Sequence, residues 1–142
     1  MIATDERPVR TGPNPLHGML LAGGFPLFLG AALSDYAYFT SFHIQWATFS
    51  SWLIAGGLVF CGFALICALI GIFRPAGSRG LSVLYFVLLL VTWVLGFVNA
   101  LVHARDAWAM MPTGLTLSVV VAVLAFAAVW IGFTSRKSGG YS

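Results

Sequence analysis

Long apolar runs, separated by short polar or charged stretches, make up most of the chain. Asn14-Pro15 opens the first run. Asn can accept a hydrogen bond from a free amide at a helix start, and Pro in the first turn loses no hydrogen bond. From Leu16 to Leu33 the run rises roughly 27 Å at about 1.5 Å per residue, close to the thickness of a bilayer core, and the helix is expected to continue to about Phe39. The second run, Trp46 to Phe73, has no charged residue over 28 positions, so it should tilt or protrude at one end. RPAGSRG at 74–80 reads as a tight basic turn. The third run is Leu81 to His103, and ARDAWAMMP at 104–112 connects it to the fourth, Thr113 to Phe133. The pattern predicts an all-α membrane protein, a bundle of four transmembrane helices at about 15–39, 46–73, 81–103 and 113–133. Polar tails are expected at 1–14 and 134–142.

Composition removes the soluble alternative. Apolar residues fill 60% of 142 positions and charged residues 8%, against about 25% charge in an ordinary soluble domain. A small domain in water would leave that excess exposed as large apolar patches. The net charge of +3 comes from scattered residues and forms no basic stripe, so no nucleic-acid partner is expected. The lipid bilayer is the expected environment. Arg7, Arg10, Arg74, Arg79, Arg136 and Lys137 fall on the side of the termini and only Arg105 on the other. The positive-inside rule then places both termini in the cytoplasm. A cleaved secretory signal ending near Ala32-Leu33-Ser34 is the competing reading of the N-terminus, but the apolar run is longer than the roughly 7–15 residues of a signal core. The echo between DYAYF at 35 and DAWAM at 106 is too short to mark an internal repeat.

Lipid tails give no hydrophobic drive for helix association, so small side chains that let helices approach carry more weight. Gly57, Cys61, Ala64, Ala68 and Gly71 recur at steps of four and three on the second helix, and Ser118, Ala122, Ala125 and Gly132 do so on the fourth. Both stripes are expected to pack against other helices. Cys61 and Cys67 read as small packing residues and not as a disulfide or metal pair. Tyr36, Tyr38, Trp46 and Trp108 should gather at the outer boundary and Trp130 near the inner one, where amphipathic rings prefer to lie, while Trp93 falls mid-span in the core.

The third helix carries its polar groups on one stripe: Tyr85, Thr92, Gly96, Asn99 and His103 follow at seven, four, three and four residues. The first helix carries His17 and Asp35, five turns apart, with Pro26 between them as a kink site. Ionisable groups within a span cost roughly 2.5–3.5 kcal/mol on insertion scales and therefore face inward toward partners. The expected cluster comprises Asp35, Asn99, His103, Arg105 and Asp106 at the outer end, with Asp35 paired to Arg105 or His103. It reads first as a polar clamp between helices, second as a ligand, proton or quinone head-group site, and third as a haem site through His103. His17 is too far in depth to serve the same iron, and His43 lies in a connection. No nucleophile pair, phosphate loop or metal-ligand spacing is present, and Gly23-Gly24 reads as packing.

The stretches NPLHGMLL at 14, LSDYAYF at 33, WATFSSWLIAGGLVF at 46 and NALVHARDAWAMMPTGLTLS at 99 resemble a bacterial inner-membrane family, the domain of unknown function 2231, over nearly the whole chain. The resemblance implies a membrane helix bundle with recurrent polar positions at His17, Asp35, Trp46, Asn99, His103, Arg105, Asp106 and Trp108. This chain has Asn14, Tyr85 and the tail TSRKSGGYS where the family pattern has histidines and a Tyr-Arg-His ending. A cofactor role resting on those histidines is therefore not expected here. The family likeness implies a small partner or anchor for respiratory or periplasmic oxidoreductase systems in the bacterial inner membrane. The expected function is a non-catalytic subunit, associated with other membrane subunits or with itself and holding no cofactor. The alternative is a haem b or quinone-linked electron carrier using the His103 region. A transporter ranks third, given so few internal charges.

Overall fold

The computed structural model describes residues 14–74 and 79–134. Of the tails expected at 1–14 and 134–142, only Asn14 and Thr134 are among them; the rest, with Arg7, Arg10, Arg136 and Lys137, and the turn residues 75–78 lie outside the described residues. Four long helices fill almost all of the rest: α1 (Pro15–Ser41), α2 (Ile44–Ile72), α3 (Arg79–His103) and α5 (Thr113–Thr134), with a single-turn helix α4 (Ala107–Met110) between the last two. Each long helix is apolar enough and long enough to cross a membrane. The protein is an all-α bundle of four membrane spans.

The helix boundaries follow local chemistry. Asn14 caps α1, its Oδ1 accepting from the Leu16 amide at 3.3 Å with Pro15 in the first turn. The helix continues through Pro26 and past Phe39 to Ser41. It stops where Phe42 turns left-handed at φ 55° and donates its amide to the Tyr38 carbonyl at 2.7 Å. After His43 as its N-cap residue, α2 begins at Ile44, two residues before the Trp46 expected to start it. Only a two-residue hinge therefore separates the first two spans.

In cross-section, α1 packs against α2 and α5, and α3 packs against the same two helices from the opposite corner. Thus α1 and α3 are parallel and diagonal. The buried face of α1 runs through His17, Leu21, Gly24, Phe28, Ala31 and Asp35, at the steps of four and three that keep one face inward. That of α3 runs through Leu89, Thr92, Gly96, Asn99 and His103.

Small residues set the helix separation where they were expected to, with one exception. Gly57, Cys61 and Ala64 are buried and Ala68 packs at the edge of the core, but a Cβ on Gly71 would meet nothing within 4 Å. The last turn of α2, the longest helix, has no neighbour at that residue. Ser118, Ala122, Ala125 and Gly132 are all buried on α5. Gly57 is required by the fold: a Cβ there would lie 2.7 Å from the ring of Phe28, itself buried on α1. Both cysteines are free thiols.

The aromatic belt is also slightly redistributed. Tyr36, Trp46, Trp108 and Trp130 are exposed, with Trp108 90% accessible on α4. Tyr38 is not in the belt; it is 6% accessible and packs with Ala47, Val102 and Met110 at the Asp35 end of the bundle. Trp93 is half-buried, donating Nε1–H to the Leu58 carbonyl at 3.2 Å.

Candidate functional site

Asp35, one turn before the end of the inward face of α1, is fully buried at 0% accessibility. Unsatisfied, a carboxylate in such a place would carry a large desolvation penalty, so its partners decide what it can do. They come from diagonal and adjacent helices. His103 of α3 meets Oδ1 through Nε2 at 2.8 Å, and Ser118 of α5 donates its hydroxyl to Oδ2. Asn99, one turn before His103, donates from Nδ2 to Ser118 Oγ at 2.7 Å. On the far side, Ser50 of α2 donates to the Ala31 carbonyl at 3.2 Å and lies 3.3 Å from His103 Nε2. All four spans contribute to one network.

The acceptors around His103 fix its protons. Nδ1 faces the Asn99 carbonyl at 2.9 Å, which can only accept, so Nδ1 carries hydrogen. Nε2 faces a carboxylate oxygen and the Ser50 oxygen, whose own hydrogen points at Ala31. One further proton therefore sits between Nε2 and Asp35 Oδ1, and the pair is neutral as a unit. No ring nitrogen is left with a lone pair for an incoming metal unless Asp35 or the Asn99 carbonyl is displaced. Among the described residues no three His, Cys, Asp or Glu side chains converge in a metal-binding group.

The structure brings together Asp35, Asn99 and His103 from the expected cluster, and leaves two members outside. Arg105 and Asp106 are exposed. After His103 the helix closes in a turn, with Ala104 and Arg105 amides bonded to the Ala100 and Val102 carbonyls at 3.0 and 3.2 Å, and Asp106 becomes the residue before α4. The chain has left the inward stripe by then. In their place stand Ser50 and Ser118. Ser118 had been read only as a packing residue and Ser50 not at all, since a lone serine in an apolar helix carries no pattern that names its partner.

Asn99 retains one unmet group. It is 1% accessible, and its Oδ1 has no hydrogen-bond partner. Above the network, Met110 of α4 is buried and Gly114 lies so close that an added Cβ would sit 3.0 Å from both His103 Cε1 and Met110 Cγ. Thus α4 and the start of α5 seal the His103 ring from the aqueous side.

A second polar contact lies at the other end. His17 Nε2 meets the Tyr85 hydroxyl at 2.8 Å, again joining α1 to α3. Between the two contacts the axis is apolar apart from Thr92, whose hydroxyl donates back to the Leu88 carbonyl at 2.7 Å. A cavity of about 20 Å³ lies there, lined mainly by Leu21, Phe28, Leu89 and Ala125.

No curated protein and no solved structure matches the chain. The model of a family described as predicted membrane protein (DUF2231) matches residues 13–140, nearly all of it. With its four spans in place, the chain belongs to the DUF2231 family of membrane proteins.

Proposed function

We propose that this chain is a non-catalytic subunit or anchor of a larger membrane assembly, of the respiratory or periplasmic oxidoreductase kind, in a bacterial inner membrane. The observation that carries the reading is the mutual pairing of the buried groups around Asp35 and His103. Asp35, His103, Ser50 and Ser118 spend their hydrogen-bonding groups on one another and on backbone carbonyls, which ties the four helices together as a clamp does. Described residues outside the helices are few. Partner contact is therefore expected through helix faces within the bilayer. Six basic residues on the side of the termini, Arg74 and Arg79 of the 74–80 turn among them, against Arg105 on the other side support cytoplasmic termini, and on this reading the Asp35 end faces the periplasm.

The electron-carrier alternative needs His103 to give up Asp35 or the Asn99 carbonyl before it can hold iron, which ranks it second. One preparation tests both. The full-length chain is extracted with a mild detergent, isolated by an affinity tag, and examined by mass spectrometry and absorption spectroscopy. The expected result is a stoichiometric membrane protein partner and no haem band. A chain that emerges alone from several gentle extractions overturns the subunit reading, and a haem band lost in His103→Ala replaces it with the carrier.

A further inference from the structure

The two polar contacts between α1 and α3 share a register. His17 meets Tyr85 and Asp35 meets His103, each across a sequence separation of 68. The same separation relates the buried faces of the whole bundle. It takes Leu21 to Leu89, Phe28 to Gly96 and Ala31 to Asn99 between α1 and α3. It takes Ser50 to Ser118, Gly57 to Ala125 and Ala64 to Gly132 between α2 and α5, and all of these residues are buried.

The residue pairs joined by hydrogen bonds follow the same relation, though the atoms and directions differ. Ser118 donates to Asp35, and its counterpart Ser50 lies 3.3 Å from His103, the counterpart of Asp35. Ser50 bonds the carbonyl of Ala31, and the counterpart of Ala31 is Asn99, which bonds Ser118. The packing agrees, because α1 against α5 is the counterpart of α3 against α2, and both pairs are in contact. A two-fold axis running along the bundle would generate all of these relations, and parallel repeats in membrane proteins are related in this way.

From this we infer that the protein is two helical hairpins of one kind, α1–α2 and α3–α5, paired face to face about a pseudo-two-fold axis, and that Asp35 and His103, which meet on the axis, determine which hairpin pairs with which. The binding surface of each hairpin is the inward face just described, and the partner it fits is another hairpin of the same design. On the axis a residue meets its own counterpart. Two copies of the first hairpin would oppose Asp35 to Asp35, and two copies of the second would oppose His103 to His103. An Asp–Asp pair that shares one proton keeps a net negative charge and a His–His pair that gains one keeps a net positive charge, so only the mixed pairing shares a proton at zero net charge. Phe28 against Gly96 adds a difference of size, since the Phe28 ring lies 3.5 Å from where a Cβ of Gly96 would be.

The relation makes an exchange of the two residues specific and testable in the full-length protein. In Asp35→His with His103→Asp, the new histidine finds the Ala31 carbonyl four residues back, as His103 finds that of Asn99. The new aspartate finds Ser50, as Asp35 finds Ser118. Each single substitution should lower the unfolding midpoint in mixed micelles, and the double exchange should recover at least half of the loss seen in the worse single variant. A double exchange that fails to accumulate in the membrane, or that unfolds no later than the worse single, overturns the assignment of the pair.

A second measurement leaves the network untouched. In a Cys61→Ala, Cys67→Ala background, spin labels on Leu33→Cys with Val120→Cys, and separately on Leu101→Cys with Trp52→Cys, occupy exposed positions related by the same shift. The two pairs should give the same mean distance by pulsed electron resonance. Mean distances that differ by more than the width of the distributions overturn the pseudo-symmetry itself.

Discussion

Substitutions at Asp35 separate two descriptions of the buried network: an ion pair that needs the charge, and a hydrogen-bond clamp that needs the shape. Asparagine keeps the shape. Its amide can donate to Nε2 of a neutral His103, which still donates from Nδ1 to the Asn99 carbonyl, while its oxygen accepts from Ser118. Every group keeps a partner, so Asp35→Asn should lose less than about 1 kcal/mol. Alanine removes both acceptor oxygens. Hydrogen bonds between helices in a bilayer average about 0.6 kcal/mol with a maximum of about 1.7, so losing two costs about 1–3 kcal/mol. The vacated space adds about 1 kcal/mol if roughly 40 Å³ stays empty, at about 24 cal/mol per Å³. Asp35→Ala should therefore lose about 2–4 kcal/mol in total, at a fully buried site. Reversible unfolding in mixed micelles, followed by tryptophan fluorescence and helical circular dichroism together, measures the difference. If Asp35→Asn is as damaging as Asp35→Ala, the charge is needed and the clamp description is wrong. If Asp35→Ala matches the unsubstituted protein, the network does not hold the helices at all.

Other substitutions test the packing and the chemistry around it. Gly57→Ala should cost about 1–3 kcal/mol by overpacking, because the Phe28 ring it would strike is buried. Gly23→Ala makes an equally close approach at 2.6 Å, but to Phe60, which is open to lipid and free to turn, so it should be nearly neutral in the same unfolding assay. Ser118→Ala should destabilise more than Ser50→Ala, since Ser118 links Asn99 to Asp35, whereas loss of the Ser50 hydroxyl leaves the His103–Asp35 contact in place. Haem titrated into the purified protein should give no absorption band that depends on His103. A band abolished by His103→Ala but not by His43→Ala would refute the argument from the occupied ring nitrogens.

Hydropathy was enough to read the four spans, because the bilayer demands long apolar helices and little else satisfies the backbone there. The polar stripe of α3 was also legible, since Thr92, Gly96, Asn99 and His103 share a face by spacing alone and are all buried. Run lengths put Asp35 and His103 at the same end, where the structure joins them; what spacing could not show was which other residues lie at that depth. That depends on the connections. The two-residue hinge at Phe42 and His43 sets Ser50 beside Ala31, and the turn after His103 carries Arg105 and Asp106 out of the cluster. Gly71 was misread for a similar reason, since a stripe of small residues says where contact is possible and not where the neighbouring helix stops. The relation between the hairpins was hidden more deeply. It preserves which positions are buried while exchanging what occupies them, with Asp opposite His and Phe opposite Gly, so a search for repeated residues finds only a short echo at the wrong separation.

The distribution of polar groups along the axis bears on what the bundle can conduct. Asp35 and His103 are linked at one end and His17 and Tyr85 at the other, five turns or roughly 27 Å apart along α1. A proton path between them would need a chain of water or hydroxyl groups through the middle. Thr92 is the one hydroxyl on the α3 stripe there, and its hydrogen is committed to the Leu88 carbonyl. The cavity beside it, about 20 Å³, has room for a single water. A buried water needs about two to four polar partners, and apart from Thr92 and Cys61 the walls offer aliphatic and aromatic carbon. The axis is thus polar, apolar and polar in turn. Such an arrangement ties α1 to α3 at two depths and fixes their register. Joined at both depths, the two diagonal helices resist sliding past one another, which is what the proposed anchoring role asks of the bundle.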